Sequence, residues 1–137
     1  MKVVFATNVL LVSIPTRSKY HPIIEALADY KYRLLLSNDI YLEYLEIIAA
    51  KSNPSVVEGI INFIYKQGNI EIIDVHFQWN LISVDWDENK FCDCAIAGNA
   101  DYIVTNDAHF NVLKNLDFPK LKVITAEEFL NVLEGLS

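Results

Sequence analysis

Asp87-Glu88-Asn89-Lys90-Phe91-Cys92-Asp93-Cys94-Ala95-Ile96-Ala97-Gly98, followed after two residues by Asp101-Tyr102-Ile103-Val104-Thr105-Asn106-Asp107, is the stretch on which the fold turns. Asp87 is a good N-cap for a helix that runs from Glu88 to Gly98. Asp101 to Thr105 is a short apolar run without polar alternation, closed by the polar pair Asn106-Asp107. Such a run suits a strand buried on both faces of a parallel sheet. The same alternation extends in both directions. Towards the C-terminus come a short helix over Ala108 to Asn115, a strand over Leu121 to Ile124, and the capping box Thr125-Ala126-Glu127-Glu128 opening a helix from Ala126 to Leu133. Towards the N-terminus, Lys2 to Ala6, Tyr32 to Leu36 and Ile70 to Val75 read as strands. Pro22 opens a helix over Ile23 to Tyr30, Ser37 or Asn38 caps one that runs through Ala50, and Asn53-Pro54 opens one to about Lys66, stopped near Gly68. His76 to Val84 fits neither period. Strands alternating with helices predict an α/β domain with a mostly parallel sheet, whose ligand site lies at the carboxyl ends of the strands.

The chain has 137 residues, 53% hydrophobic and 21% charged, enough for one core. It shows no internal repeat or linker and is expected to be a single domain over residues 1–137. No apolar run approaches the roughly 18 to 20 residues of a membrane span, and the opening run Met1 to Ala6 is too short for a signal peptide. A cytoplasmic protein without membrane partners is therefore expected. Cys92 and Cys94 have no distant partner cysteine and lack zinc-site spacing, so packing in a reducing compartment is their expected role. The net charge of -7 argues against a nonspecific nucleic-acid binder with a basic face. From Glu71 to Asp107, eight acids face a single base, Lys90. That excess reads either as a solvated face or as carboxylates gathered for a hard divalent cation.

Polar clusters close three strands: Ala6-Thr7-Asn8, Ser37-Asn38-Asp39 and Thr105-Asn106-Asp107. Turns and caps account for any one of them. Acids set inside apolar helical runs are harder to explain that way, and two occur, Glu43 among Tyr41, Leu42, Tyr44 and Leu45, and Asp93 between Cys92 and Cys94. An exposed helical stripe remains the alternative for both.

Taken in order, Val3-Val4-Phe5-Ala6-Thr7-Asn8-Val9-Leu10, the Leu42-Glu43-Tyr44 helix, Asp85 to Ala100, Asp101 to Asp107 with His109-Phe110, and Ile124 to Phe129 resemble the PIN-domain ribonucleases, in particular the toxins of prokaryotic toxin-antitoxin pairs. The resemblance implies a three-layer α/β/α domain in which carboxylates from separate elements hold Mg²⁺ or Mn²⁺ and hydrolyse RNA phosphodiesters. Glu43, Asp93 and Asp107 match the family's acids as metal and catalytic residues, and Glu88 stands where some members have another. An antitoxin partner and a homodimer are further implications. Asn8 and Thr105 are expected to support the site by orienting carboxylates or phosphate, with turn and cap roles as their alternatives.

One position departs from the pattern. Where the family has an aspartate at the end of the first strand, this chain has Ala6, which offers no donor atom. The site is expected to be weakened or inactive and to hold its ion poorly. Both natural loss and deliberate disarming of a toxic nuclease are open as origins. A non-catalytic PIN-like module that binds RNA or a protein is the competing reading. A receiver or aspartate-nucleophile phosphatase is disfavoured, since the first strand ends without an aspartate and Leu121 to Thr125 has no lysine at its carboxyl end.

Overall fold

Val3, Val4 and Phe5 are fully buried, as a central strand covered on both faces requires. In the computed structural model, which describes residues 1–136, they belong to β1 (Lys2–Phe5). The other strands are β2 (Arg33–Leu36), β3 (Ile70–Ile72), β4 (Tyr102–Val104) and β5 (Val123–Ile124). All pairings are parallel and the strand order is β3-β2-β1-β4-β5. Val3 lies opposite both Leu34 of β2 and Tyr102 of β4, and Phe5 lies opposite Val104.

Six α-helices are formed by the described residues: α1 (Thr7–Ser13), α2 (His21–Ala28), α3 (Asn38–Lys51), α4 (Pro54–Lys66), α5 (Asn89–Ala97) and α6 (Ala126–Glu134). α5 packs across β1, β2 and β4, while α1 packs on β1 and contacts α2 and α3; α2 meets α6, and α3 meets α4. The product is the expected three-layer α/β/α arrangement. Phe5, Tyr32 and Phe129 meet edge to face with centroids 5.1 to 5.9 Å apart, which fastens α6 to β1. No helix among the described residues is long and apolar enough to cross a membrane.

Local signals account for most boundaries. Ser37 and Asn53 cap α3 and α4 with their side chains. The capping box at α6 is complete, with Glu128 N–H donating to Thr125 Oγ1 at 3.1 Å and Thr125 N–H to Glu128 Oε1 at 3.0 Å. Thr125→Ala should therefore cost about 1 kcal/mol, read as a lower midpoint in chemical denaturation with an unchanged slope.

The structure departs from the sequence expectations at four points. Thr7 to Ser13 is helical although its N-cap, Ala6, supplies no side-chain bond, so no start signal marks it. Asp87 does not cap α5; Asp85 instead accepts from Asp87 N–H at 3.0 Å and begins a 3-10 turn, Trp86–Glu88, ahead of α5. β3 ends at Ile72, and residues 73–82 form no repeating structure. That loop is tied down by side chains of α5: Asn89 exchanges hydrogen bonds of 2.8 and 2.9 Å with the Ile82 backbone, and Asp93 Oδ1 accepts from Trp79 N–H at 3.0 Å. A segment ordered by such contacts has no reason to follow either period. Ala108–Asn115 is a 3-10 rather than an α-helical segment.

Candidate functional site

From β1 the chain builds β2 and β3 on one side and β4 and β5 on the other, so the strand order reverses between β1 and β4. The carboxyl ends at such a reversal flank the crevice where open parallel sheets bind ligands. A cleft of about 320 Å³ opens there, lined by Ala6 and Thr7 after β1, Glu43 of α3, Asp85 and Glu88 at the turn before α5, and Asp107 after β4.

Each side chain is held by the element that delivers it. Ala6 continues the sheet, its N–H donating to Val104 O at 3.0 Å. Glu43 is gripped twice: Thr7 Oγ1 donates to its Oε2, and Lys90 Nζ lies 2.7 Å from its Oε1. Glu88 is buried, with Oε1 2.6 Å from His109 Nδ1. Asp107 Oδ1 accepts from His109 N–H at 2.9 Å, and Thr105 Oγ1 accepts from Asp107 N–H at 3.1 Å, so Thr105 shapes the turn that presents Asp107.

Burial pushes the Glu88 carboxyl above its usual range, opposed by the hydrogen bond with His109 and reinforced by Asp107. Asp107 is held below its usual value, chiefly by the His109 N–H. The hydrogen bond to Glu88 raises the His109 imidazole above its ordinary 6.5. A raised histidine keeps its proton, and with it the stabilising pair, below 6.5 and loses both as pH climbs through the raised value. An NMR titration of His109 should accordingly show a midpoint above 6.5 that moves back towards it in Glu88→Gln.

Ligand atoms of Asp85, Glu88 and His109 all lie within 4.8 Å of one another. Two carboxylates and one imidazole around a common point fit a divalent ion. The mixed oxygen and nitrogen set suits Mn²⁺ better than Mg²⁺, which favours oxygen alone.

Glu43, Glu88 and Asp107 thus reach one cleft, with Ala6, Asn8 and Thr105 at its edge or beneath it. Asn8 is an exposed residue of α1 rather than a turn residue. Asp93 does not join them. It sits within α5, five residues after Glu88, and lines a neighbouring cleft, its carboxylate turned to the Trp79 backbone and raised in pKa by burial. Asp85 and His109 were not singled out as ligands from sequence. Asp85 was legible only as one of many acids, and His109 only through its place two residues after Asp107. Cys92 and Cys94 are buried, free and pushed up to about 12 by desolvation, which leaves them unreactive.

The PIN domain family model matches residues 2–109, which include every acidic side chain of this cleft. The chain belongs to the PIN domain family. Among solved structures, this PIN domain is similar to VapBC2 from Rickettsia felis, crystallised bound to a DNA fragment from its promoter. The two share 19% identity at a TM-score of 0.63, over 91% of this chain and 98% of that one, a likeness of fold. No curated protein sequence matches this PIN domain.

Proposed function

We propose that this PIN domain, a single unit over residues 1–137, is a divalent-metal-dependent endoribonuclease and the toxin of a toxin-antitoxin pair, weakened by Ala6. The observation that carries the reading is the convergence of Glu43, Glu88 and Asp107 beside Ala6 at the carboxyl edge of β1 and β4. Asp85, Glu88 and His109 would hold the ion, which when bound supplies charge neutralisation and a hydroxide near neutral pH for phosphodiester hydrolysis. Asp107, kept ionised by the His109 N–H, is placed to orient a water beside them. His109 must give up its proton to serve as a ligand, so metal affinity rises with pH through its raised pKa. Lys90, paired with Glu43, offers the cleft's positive charge to a backbone phosphate. Asn8 and Thr105 support the frame.

Position 6 is where the family's remaining carboxylate belongs, and without it both ion and activity are reduced. The likeness to VapBC2 supports an antitoxin partner. The exposed apolar surface of α4, with Ile61 and the 88% exposed Tyr65, supports a protein partner or a second copy of the chain. A chain with this function works in the cytoplasm.

The test is cleavage of a mixed pool of structured RNAs with Mn²⁺, with Mg²⁺ and with EDTA. Weak cleavage that Mn²⁺ supports and EDTA abolishes is expected. EDTA-resistant cleavage would overturn the metal reading. One observation favours a non-catalytic module instead: Ala6 lacks a donor and Glu43 is already neutralised by Lys90. RNA binding without cleavage by either this chain or Ala6→Asp would select that reading.

A further inference from the structure

A larger cleft of about 640 Å³ adjoins the first and shares Asp87 with it. Its volume is in the range of about 300–1,000 Å³ typical of small-molecule sites. Asp93 lines it and is only 6% exposed. The Trp79 N–H satisfies Asp93 Oδ1, and among the described residues no protein donor reaches Oδ2. Oδ2 keeps contact with solvent through the cleft, so its acceptor capacity is open to a donor from a ligand that displaces water. Two large aromatic residues also line this cleft and stay in solvent, Phe77 at 63% exposure and Trp86 at 61%. Flat apolar rings held open beside polar groups are what a nucleobase stacks upon.

Charge narrows the ligand. Asp39, Asp87 and Asp93 outnumber the cleft's one fixed base, Lys90, with His76 also on the lining. Such a lining repels a phosphate and favours a neutral group rich in donors. Among the four bases, guanine alone presents two adjacent donors, N1–H and the 2-amino group, matched to a carboxylate edge. Oδ2 is open, and Oδ1 retains a second lone pair beside its bond from Trp79. Lys90 lines this cleft while bonding Glu43 of the other, so a base held here leaves its phosphate at the junction of the two.

We propose that this second cleft binds a guanine base of the RNA substrate, with Trp86 and Phe77 stacking on it and Asp93 accepting from its Watson-Crick edge. The assignment of RNA rests on the nuclease reading of the first cleft; the guanine preference rests on this cleft's own lining.

Trp86 lines the site, and the Trp79 ring packs on the lining Phe77 with centroids 4.9 Å apart, so intrinsic fluorescence reports the site. The titration is run in EDTA with GMP, IMP, AMP, CMP and UMP, and with uridine oligonucleotides that carry one guanosine or none. Saturable quenching by GMP and by the guanosine oligonucleotide is expected at about tenfold lower concentration than by UMP or all-uridine RNA, with IMP weakened by loss of the 2-amino group. Asp93→Asn should lose about tenfold in GMP affinity. Trp86→Ala, at an exposed position that the fold tolerates, should lose about tenfold for every base, read through Trp79. Equal affinity for GMP and UMP, or an Asp93→Asn protein of unchanged melting behaviour that binds GMP as before, would overturn the guanine site. Binding of GMP but not of the guanosine oligonucleotide would make it a free-nucleotide site and overturn the RNA assignment. No metal or cleavage enters this assay, so its failure leaves the nuclease reading to its own test.

Discussion

Ala6→Asp should raise Mn²⁺-dependent RNA cleavage by about 10²-fold or more over the parent chain and tighten Mn²⁺ binding in calorimetry. The backbone at position 6 is extended, with φ -61° and ψ 151°, and its N–H is fixed to Val104 O, so a longer side chain enters the cleft without moving β1. It would meet a frame in which Glu43, Glu88 and Asp107 are already oriented by Thr7, Lys90 and His109. Placing charge where a metal-bound transition state needs it is worth about 10²–10³ in rate at preorganised sites. Adding Glu88→Gln to Ala6→Asp should abolish the gain, because the amide keeps the shape and loses the ligand charge. Asp93→Asn on the same background should leave Mn²⁺ affinity in place and weaken the binding of guanosine-containing RNA. That outcome differs from what a metal-ligand role for Asp93 predicts, and the two are separated by calorimetry. No gain in cleavage with either Mn²⁺ or Mg²⁺ would end the enzyme reading.

Phe129→Ala should destabilise the domain by about 3–5 kcal/mol, a large share of the about 5–15 kcal/mol that holds a domain of this size together. Phe129 is fully buried, and its ring meets Phe5 at 5.9 Å and Tyr32 at 5.1 Å. Truncation opens a cavity against the central strand and loses two edge-to-face contacts. Chemical denaturation should show a midpoint lowered in proportion at constant slope. A loss below about 1 kcal/mol would mean that α6 does not depend on this contact. Because Phe5 immediately precedes Ala6, the same variant should also loosen the cleft, seen as weaker Mn²⁺ binding by the Ala6→Asp background.

The layered fold was legible because its signals are local. Apolar runs such as Ile103-Val104 and Leu34-Leu35-Leu36, the caps at Ser37 and Asn53, and the box at Thr125 and Glu128 each act within a few residues. The helix after Ala6 escaped notice for the complementary reason, since its N-terminus has no side-chain cap and follows the strand directly. The cleft was legible only in part. Glu43, Glu88 and Asp107 stand in elements that the α/β pattern already carries to one edge. Asp93, by contrast, shares α5 with Asn89 and Lys90, and which of these faces the first cleft depends on where the helix begins. The 3-10 turn initiated by Asp85 sets that phase, so a cap assigned to Asp87 leaves the rotation of α5 undetermined. The pairing of His109 with Glu88 spans 21 positions, and no local pattern announces it.

The main-chain bond from Ala6 to Val104 has a consequence for heredity. The strand is held there by groups that every residue but proline possesses, so this backbone bond survives an exchange of alanine for aspartate. Two of the four alanine codons differ from an aspartate codon in the middle base alone. On the proposed function, a lineage carrying such a codon could lose the activity and regain it by a single base change.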